Sequence, residues 1–309
     1  MSVELLIEQG VNGLQLGLTL YLLAAGLTLI FGIMGILNLA HGSMYMVGAY
    51  SAAVIAAKTG SFLAAALGGA LMAGLVGLAI EFLIIRRLYD REHLDQVLAT
   101  FGVILFANEA VALMFGRSPL FMSVPQWASG QVEIFPGVPY PQYRLFVMAA
   151  GIVVALLLWQ LIARSRLGMQ IRAGATHREM VGALGVDIAR LYTIVFGVGA
   201  LLSGLAGALI GPVRSVQIGM GEDVLILTFV VVVIGGIGSL KGAFAGAMIV
   251  GVIDTLSRAV AGPAIKAWIG GPTGDSLAAG LSSIMVYLAM ALVLVIRPTG
   301  LFPAQGARA

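Results

Sequence analysis

The sequence predicts an all-α polytopic transmembrane helical bundle of about eight to ten membrane segments. Of the 309 residues, 60% are hydrophobic and only 10% are charged, and the mean hydropathy of +1.04 far exceeds that of a soluble domain. Two of the apolar stretches are interrupted by glycine-rich, polar breaks. Because such backbone is tolerated at membrane depth only beside protein or water, we expect broken or re-entrant helices among the segments.

Nine stretches are apolar and long enough to be candidate membrane helices, since about 20 residues cross the hydrocarbon core. They are residues 12–36, 38–57, 62–85, 96–115, 144–163, 191–212, 224–239, 243–261 and 277–297. Only a glycine-rich break separates the first from the second and the seventh from the eighth, so a re-entrant segment can replace a crossing at either place. The whole chain, residues 1–309, is expected to form a single membrane-embedded domain.

Basic residues predict the orientation, because cytoplasmic loops of membrane proteins are enriched in them. Arg86, Arg87 and Arg91 follow the third segment, and five arginines lie in the loop 164–190. Placing both connections inside puts eleven of the 17 basic residues there, with the N-terminus outside and the C-terminus inside. The proline-rich loop 116–143 then faces outward, as an ordered interfacial segment or as a contact surface for a partner.

Small residues recur at every fourth position in three places. They are Gly13 and Gly17, then Ser203, Gly207 and Gly211, and finally Gly242 and Gly246. This spacing lets helix backbones approach closely, so it predicts ordinary helix packing.

Several chemistries are excluded by the residue types present. The chain has no cysteine, which rules out disulfides and thiolate chemistry, and its three histidines are scattered, so no metal site is expected. Lys241 stands between Leu240 and Gly242, which does not fit a P-loop, and a third glycine for a dinucleotide fingerprint is missing. We therefore expect no ATP site, no enzyme activity, no cofactor in this chain and no nucleic-acid partner.

Seven polar residues near the breaks or within the segments are candidates for the substrate path. They are Asn38, His41, Ser43, Tyr45, Asn108, Glu109 and Ser239. An unpaired polar side chain in hydrocarbon is costly, so Asn38 and His41 should find partners. Being three apart, they share a face if the turn is helical. They either line the path or satisfy backbone groups that the broken helix frees.

Carboxylates within the segments allow functional and structural interpretations. Glu109 is a functional candidate by default, but a structural partner such as His41 or a backbone donor is equally compatible with its position. Asp254 and Arg258 are four apart and are predicted to pair with each other. Glu81 is expected to form an interfacial ion pair with Arg86.

The two breaks resemble each other faintly. Gly35 and Gly42 of the first break echo Gly236 and Gly242 of the second, which also contains Gly235 and Gly238. Paired interrupted segments are the best sequence indication of a translocation site between internal repeats. The shared pattern is only a few residues long.

Residues 38–50, Asn-Leu-Ala-His-Gly-Ser-Met-Tyr-Met-Val-Gly-Ala-Tyr, closely resemble the signature of branched-chain amino-acid ABC transporter permeases. The resemblance continues through residues 235–242 and the basic loop 164–190. Of the two permease subunits of such systems, the sequence resembles the first more closely. Urea and short-chain amide permeases share much of the pattern, and sugar permeases are more distant.

The resemblance implies an ABC importer permease fold in the inner membrane. It also implies a second homologous permease subunit, two cytoplasmic ATPase subunits that bind the ATP, and a periplasmic substrate-binding protein. The expected function is import of branched-chain or related neutral amino acids, with urea, short-chain amide or sugar import as alternatives.

The loop 164–190 contains a predicted short amphipathic helix. Thr176 and Glu179 have the spacing of a capping box, and Gly185 suits the left-handed residue after a helix. Met180 and Leu184 then share a face, whereas Arg178 points elsewhere. By resemblance this is the coupling helix that docks on an ATPase, with Glu179 and Gly185 matching the family positions. The alternative is a basic loop that lies on membrane lipid.

Two further functional classes compete with this prediction. A self-sufficient channel or ion-coupled carrier would need functional charges in the membrane, and Glu109 with His41 would supply a proton relay. An intramembrane enzyme is disfavoured because no His-x-x-x-His or Glu-x-x-His cluster is present.

Overall fold

A computed structural model describes residues 3–269 and 271–303 of the chain. Ten α-helices and one hairpin lie in these ranges. The helices are α1 (Val3–Met34), α2 (His41–Thr59), α3 (Phe62–Leu83), α4 (His93–Phe115), α5 (Gln142–Arg164), α6 (Arg166–Ala183), α7 (Ile188–Ile210), α8 (Met220–Gly235), α9 (Leu240–Ile269) and α10 (Gly271–Ile296). The strands are β1 (Gln131–Phe135) and β2 (Val138–Pro141), and short 3₁₀ helices cover Ile85–Leu88 and Gln126–Ala128.

Each of the nine predicted segments overlaps one helix, and α6 lies in the predicted loop 164–190. The boundaries differ at both breaks. α2 begins at His41 rather than at 38, and α8 ends at Gly235 rather than at 239. A glycine follows the preceding helix at each break, Gly35 with φ 68° and Gly236 with φ 105°. Side chains avoid this backbone region, so glycine allows the helix to end there.

Six helices in the described ranges have the length and hydropathy of a membrane span. They are α1, α3, α4, α5, α7 and the Leu240–Val260 part of α9. α8 has only 16 residues, and α2 and α10 do not combine the length and the hydropathy of a membrane span within the described residues. The protein is therefore an all-α, multi-pass membrane protein. The number of full crossings stays a prediction, as does the orientation of the two chain ends, which lie outside the described residues.

The chain divides into two compact units. The unit formed by residues 22–125 and 153–226 has α2, α3 and α7 at its centre. A Cβ atom built on Gly48 would lie 2.3 Å from Gly204 Cα, and one built on Gly207 would lie 2.0 Å from the Tyr45 carbonyl oxygen. Backbones approach this closely only where side chains are absent, so the packing predicted from the small-residue spacing is confirmed here.

The other unit contains residues 1–21, 126–152 and 227–309. Its α9 packs on the first half of α1, where a Cβ atom on Gly13 would lie 2.7 Å from Val252 Cα. α9 also packs on α10, and Ser257 and Ser282 each donate to the other's carbonyl oxygen at 3.2 Å. The antiparallel β1–β2 hairpin is held to α1 through Tyr140, which donates to Asn12 Oδ1 at 3.0 Å.

Candidate functional site

The first break runs as non-helical backbone through the interior of its unit. The carbonyl of Ile33, next to the end of α1, accepts from Tyr192 at 3.4 Å, whereas the carbonyl of His41, at the start of α2, accepts from Ser203 at 3.0 Å. These two partners are eleven residues apart on α7, so the segment 35–40 runs along that helix. Asn38 lies on it and is fully buried. α2 thus begins inside the unit, as expected of a broken membrane helix.

Polar atoms at this break are only partly hydrogen-bonded. His41 Nε2 lies 3.2 Å from the carbonyl oxygen of Leu23, so this nitrogen carries a proton, because a carbonyl oxygen can only accept. Within the described residues, His41 Nδ1, Ser43 Oγ and both amide atoms of Asn38 are buried without a partner. One ring nitrogen of His41 thus has the expected partner, whereas the Asn38 amide has none among the described residues. Asn38 also lies before the helix, so the helical face predicted to join it to His41 is not formed.

The second break is shaped by contacts within its own unit. Ser239 caps α9, because its Oγ accepts from the backbone N–H of Gly242 at 3.1 Å. The last carbonyls of α8, at Ile234 and Gly235, accept from Leu301 and Phe302, both at 2.9 Å. Ser239, a candidate for the substrate path, thus has a structural contact in this position.

Glycines allow the close backbone contacts at the second break. Gly236 and Gly238 adopt φ angles of 105° and 78°, and a Cβ atom on Gly236 would lie 2.9 Å from the Phe302 carbonyl oxygen. A Cβ atom on Gly242 would lie 2.1 Å from the carbonyl oxygen of Gly235. Side chains at these positions would separate α9 from α8.

The two breaks share part of this geometry. Each begins with a glycine of positive φ, Gly35 or Gly236. Each also has a glycine in the first turn of the following helix, Gly42 or Gly242. A Cβ atom on Gly42 would lie 2.4 Å from the carbonyl oxygen of Gly221, much as Gly242 lies against Gly235. The internal repeat stays a prediction, since the likeness is local.

The candidates on α4 have partners that the sequence did not predict. Glu109 pairs with Arg117 at 2.9 Å, and the side chains are 63% and 74% exposed. Asn108 Nδ2 donates to Glu222 Oε1 at 2.6 Å. His41 instead lies against Leu23, so it is not the structural partner of Glu109, which was one of the interpretations left open. The relay it would have formed is absent from the described part of the chain.

Two predicted ion pairs are confirmed. Arg258 donates to Asp254 at 2.9 Å, one helical turn away. Glu81 binds Arg86 at 3.3 Å, and its fully buried carboxylate also accepts from Tyr89. The Thr193 hydroxyl of α7 lies 3.1 Å from the same carboxylate and accepts from Arg86 at 2.8 Å. Burial, and then the Glu81 carboxylate, raise the pKa of Tyr89, which keeps the phenol protonated as a donor.

This cluster, which we call the Glu81 network, consists of Glu81, Arg86, Tyr89 and Thr193. It joins the end of α3 to the first turns of α7, directly after the connection from α6. A fully buried carboxylate without these donors would be strongly unfavourable. The network therefore holds the start of α7 in a fixed position.

The predicted coupling helix is the second half of a longer, kinked helix. α6 begins at Arg166, where the Ser165 hydroxyl accepts from Gly168 N at 2.9 Å, and it bends at His177 (φ −146°, ψ 77°). The capping box is wrong, because the Thr176 hydroxyl donates back to the Arg172 carbonyl at 3.1 Å. A threonine inside a helix commonly makes this bond, so Thr176 does not serve as the N-cap for Glu179.

The end of α6 agrees with the sequence. Gly185 has φ 90°, its N–H donates to Gly182 at 2.9 Å, and the N–H of Val186 donates to Val181 at 3.3 Å. This pair of bonds is a Schellman motif.

The exposed face of α6 also matches the sequence. Val181 is only 7% exposed, whereas Met180 and Leu184 are 62% and 79% exposed, and Arg178 and Glu179 are exposed as well. Two large apolar side chains on one exposed face are unusual for a solvated helix end and suit a docking surface. We call residues 178–185 the α6 tip.

A cleft of about 320 Å³ lies where the connection after α7 meets α8. We call it the α8 cleft, and its lining residues are Tyr45, Arg214, Ser215, Gln217, Met220, Asp223 and Val224. Tyr45, a predicted candidate, reaches it from α2 and is 2% exposed. Its volume is at the lower end of the range of about 300–1,000 Å³ typical of small-ligand pockets.

Sequence reasoning missed Arg214 and Asp223. Both are exposed in the cleft, and within the described ranges neither side chain makes an ion pair or hydrogen bond. A charge on each side of the start of an apolar helix was a usable signal, since charges beside membrane segments need a partner or a function. Among residues 3–269 and 271–303, no cluster of three or more His, Asp or Glu could hold a metal.

Comparisons with known proteins identify the family. The sequence model "Branched-chain amino acid transport system / permease component" matches residues 10–296. The high-affinity branched-chain amino acid transport system permease proteins LivH of Escherichia coli and BraD of Pseudomonas aeruginosa are 29% and 31% identical, over 96% of this chain and 94% and 95% of theirs. The fructose import permease FrcC of Rhizobium meliloti is 35% identical over 35% of this chain and 33% of its own. No solved structure matches significantly. The chain thus belongs to the family of permease components of branched-chain amino acid transport systems.

Proposed function

We propose that this chain is the first of two permease subunits of an ABC importer for branched-chain or related neutral amino acids. The main support is the similarity over 96% of the chain to LivH and BraD, which are named as permease proteins of branched-chain amino acid transport. The subunit is a conduit without its own ATP site. Its partners are a second homologous permease, two cytoplasmic ATPases and a periplasmic substrate-binding protein.

The α6 tip is the proposed docking element for an ATPase. Its exposed Met180 and Leu184 provide an apolar contact, and Glu179 provides a charge beside them. α6 packs on α7, where a Cβ atom on Gly182 would lie 3.6 Å from the Ile188 side chain. The Glu81 network clamps the next turns of α7 to α3. ATPase movement at the tip would thus reach the core through a continuous chain of contacts.

The proposed orientation places α6 in the cytoplasm, the loop 116–143 in the periplasm, the N-terminus outside and the C-terminus inside. It rests on the concentration of arginines around α6 and after α3. Membrane lipid surrounds the exposed apolar faces of α4 and α5, which carry Leu113, Phe106 and Leu156.

The alternatives have weaker support. Sugar import is favoured only by the likeness to the fructose permease, which covers 35% of this chain. Urea and short-chain amide import stays an alternative on sequence pattern alone. An ion-coupled carrier would need a proton relay between Glu109 and His41. Within the described residues Glu109 pairs with Arg117 and His41 contacts Leu23, so this relay has no support.

Reconstitution tests the proposal. Proteoliposomes that contain both permeases and both ATPases, with loaded binding protein outside and ATP inside, should accumulate labelled leucine. Vesicles with the permeases alone and an imposed proton or sodium gradient serve as the comparison, and they should accumulate none. Accumulation driven by the gradient alone would contradict the proposed function.

A further inference from the structure

We propose that the α8 cleft binds the main-chain groups of the transported amino acid, with Arg214 facing the carboxylate and Asp223 facing the ammonium. The inference rests on the proposed function and deepens it, because it assigns the groups of the substrate that this subunit recognises. It concerns a cleft formed entirely within the unit of residues 22–125 and 153–226.

The charges in the cleft are available to a ligand. Glu81, Glu109 and Asp254 each bind an arginine within 3.3 Å. Asp223 and Arg214 line the same cleft, yet within residues 3–269 and 271–303 neither side chain has a charged or hydrogen-bonded partner. Opposite charges that are held in one cleft without neutralising each other match a ligand that carries both signs. Charge-assisted hydrogen bonds to an α-carboxylate and an α-ammonium are the strong contacts available to such a ligand.

The rest of the lining suits an aliphatic neutral amino acid. Met220 and Val224 are four apart on α8 and present apolar surface on one side of that helix. Tyr45 adds an aromatic ring from α2, and its hydroxyl makes no hydrogen bond within the described ranges. Tyr45, Met220 and Val224 thus provide apolar surface for an aliphatic side chain, and the other four lining residues are polar or charged.

The cleft is connected to the first break. Gly42, in the first turn of α2, lies against Gly221, in the first turn of α8, where a Cβ atom would be 2.4 Å from the Gly221 carbonyl oxygen. Tyr45 and Asp223 therefore approach the cleft from two helices whose backbones touch. A shift of α2 relative to α8 would change the space between the ring and the carboxylate, which is how a moving permease would release its substrate.

The charge pair also separates the candidate substrate classes. Urea, short-chain amides and sugars carry no carboxylate and no ammonium, so their passage would not require both Arg214 and Asp223. A zwitterionic amino acid would lose a contact to a charged group with either neutral variant.

The test uses the complete reconstituted importer with Arg214→Gln and Asp223→Asn. Arg91→Gln and Asp95→Asn make the same chemical changes at exposed positions outside the cleft and serve as matched controls. Two quantities are measured, the initial rate of labelled leucine uptake and the ATP hydrolysis stimulated by loaded binding protein. Arg214→Lys and Asp223→Glu, which keep the charges, are compared with the neutral variants.

We expect each neutral cleft variant to lower leucine uptake about tenfold or more, as the loss of a hydrogen bond to a charged group implies. Stimulated ATP hydrolysis should stay within about twofold, the charge-keeping variants should recover part of the uptake, and the controls should retain both activities. Uptake within about twofold of the unchanged importer in either neutral variant would overturn the assignment. A parallel loss of uptake and ATP hydrolysis would also overturn it, because the charges would then serve folding or coupling.

Failure of the proposed function gives a different result. In that case the unchanged importer hydrolyses ATP in response to its binding protein but accumulates no leucine. The substrate class is then wrong, and the zwitterion assignment is overturned with it.

Discussion

The α2–α3–α7 core and the α6 tip differ in how their helices meet their surroundings: the core packs backbone against backbone, and the tip exposes large apolar side chains. In the core, helix backbones touch at glycines, so that a Cβ atom on Gly207 would lie 2.0 Å from the Tyr45 carbonyl oxygen. At the tip, the large side chains of Met180 and Leu184 point away from the chain's own interior and are mostly exposed. The core therefore has little freedom to change its packing, whereas the tip provides a surface for something else. The comparison agrees with the proposal that a partner docks at this exposed helix end.

This difference implies that substitutions in the two regions change different quantities. Core variants should lower the free energy of unfolding, because interiors are close-packed and cannot absorb added atoms. Variants of the exposed apolar side chains of the tip should leave that free energy nearly unchanged and lower transport.

The largest loss of stability is expected for Gly207→Leu. The added side chain would collide with the α2 backbone, and overpacking of this kind costs about 3 kcal/mol. The loss should appear as a lower thermal unfolding midpoint of the detergent-solubilised complex. Gly102→Leu on α4 is the matched control, because a Cβ atom there meets nothing within 4 Å. Equal midpoints for the two variants would show that the core is not close-packed at α2 and α7.

A smaller loss is expected for Glu81→Gln in the Glu81 network. The neutral amide leaves Arg86 without its buried counter-charge and disturbs the contacts to Tyr89 and Thr193, which costs about 1–3 kcal/mol. The value is below that of a fully buried pair because the Arg86 side chain is 37% exposed.

The measurement is chemical unfolding of the solubilised complex, with Glu109→Gln for comparison. The Glu109–Arg117 pair is exposed on both sides and should contribute about 1 kcal/mol or less. If Glu109→Gln proves the more damaging of the two, the network does not hold α3 to α7.

Gly185→Ala should have a modest effect on both stability and transport. A residue with a Cβ atom is strained at φ 90°, which costs about 1 kcal/mol and loosens the Schellman motif at the end of α6. Leucine uptake should fall in proportion to the loss of the docked tip. Gly10→Ala, where a Cβ atom meets nothing within 4 Å and φ is not positive, should leave uptake unchanged.

The double variant Met180→Ser with Leu184→Ser should have the smallest effect on stability and a large effect on transport. Both side chains are exposed, so unfolding should change by less than about 0.5 kcal/mol. Removing two apolar contacts from a docking surface should weaken ATPase binding about tenfold or more. Co-purification of the ATPases and leucine uptake are the readouts. Normal co-purification and uptake would mean that the α6 tip is not the docking surface.

Local patterns predicted much of the fold. The nine apolar segments correspond to helices, the i, i+4 spacing found the Asp254–Arg258 pair, and Gly185 has the left-handed conformation that its position suggested. These features depend on contacts within a few residues of each other. They can be read from sequence because helix geometry fixes which neighbours meet.

Features that depend on distant contacts were not predictable. Thr193 joins the Glu81 network from 112 residues away, and Asn108 meets Glu222 across 114 residues. The capping box at Thr176 is not formed, because the Thr176 hydroxyl donates to the Arg172 carbonyl of the helical stretch before the kink at His177. The α8 cleft forms where the connection after α7 meets α8 and Tyr45, so the sequence alone could not show that Arg214, Asp223 and Tyr45 line one cleft.

The central claim is that motor proteins dock on the α6 tip from the cytoplasm. Because the natural sequence contains no cysteine, a single Met180→Cys variant can be labelled at one position without further changes. In the assembled importer this cysteine should cross-link to an ATPase subunit. It should react with a membrane-impermeant maleimide only in inside-out vesicles, and ATPase binding should protect it. The buried Val181→Cys is the control and should do neither. Labelling of Met180→Cys from the outside of right-side-out vesicles, or the absence of any ATPase cross-link, would contradict the account.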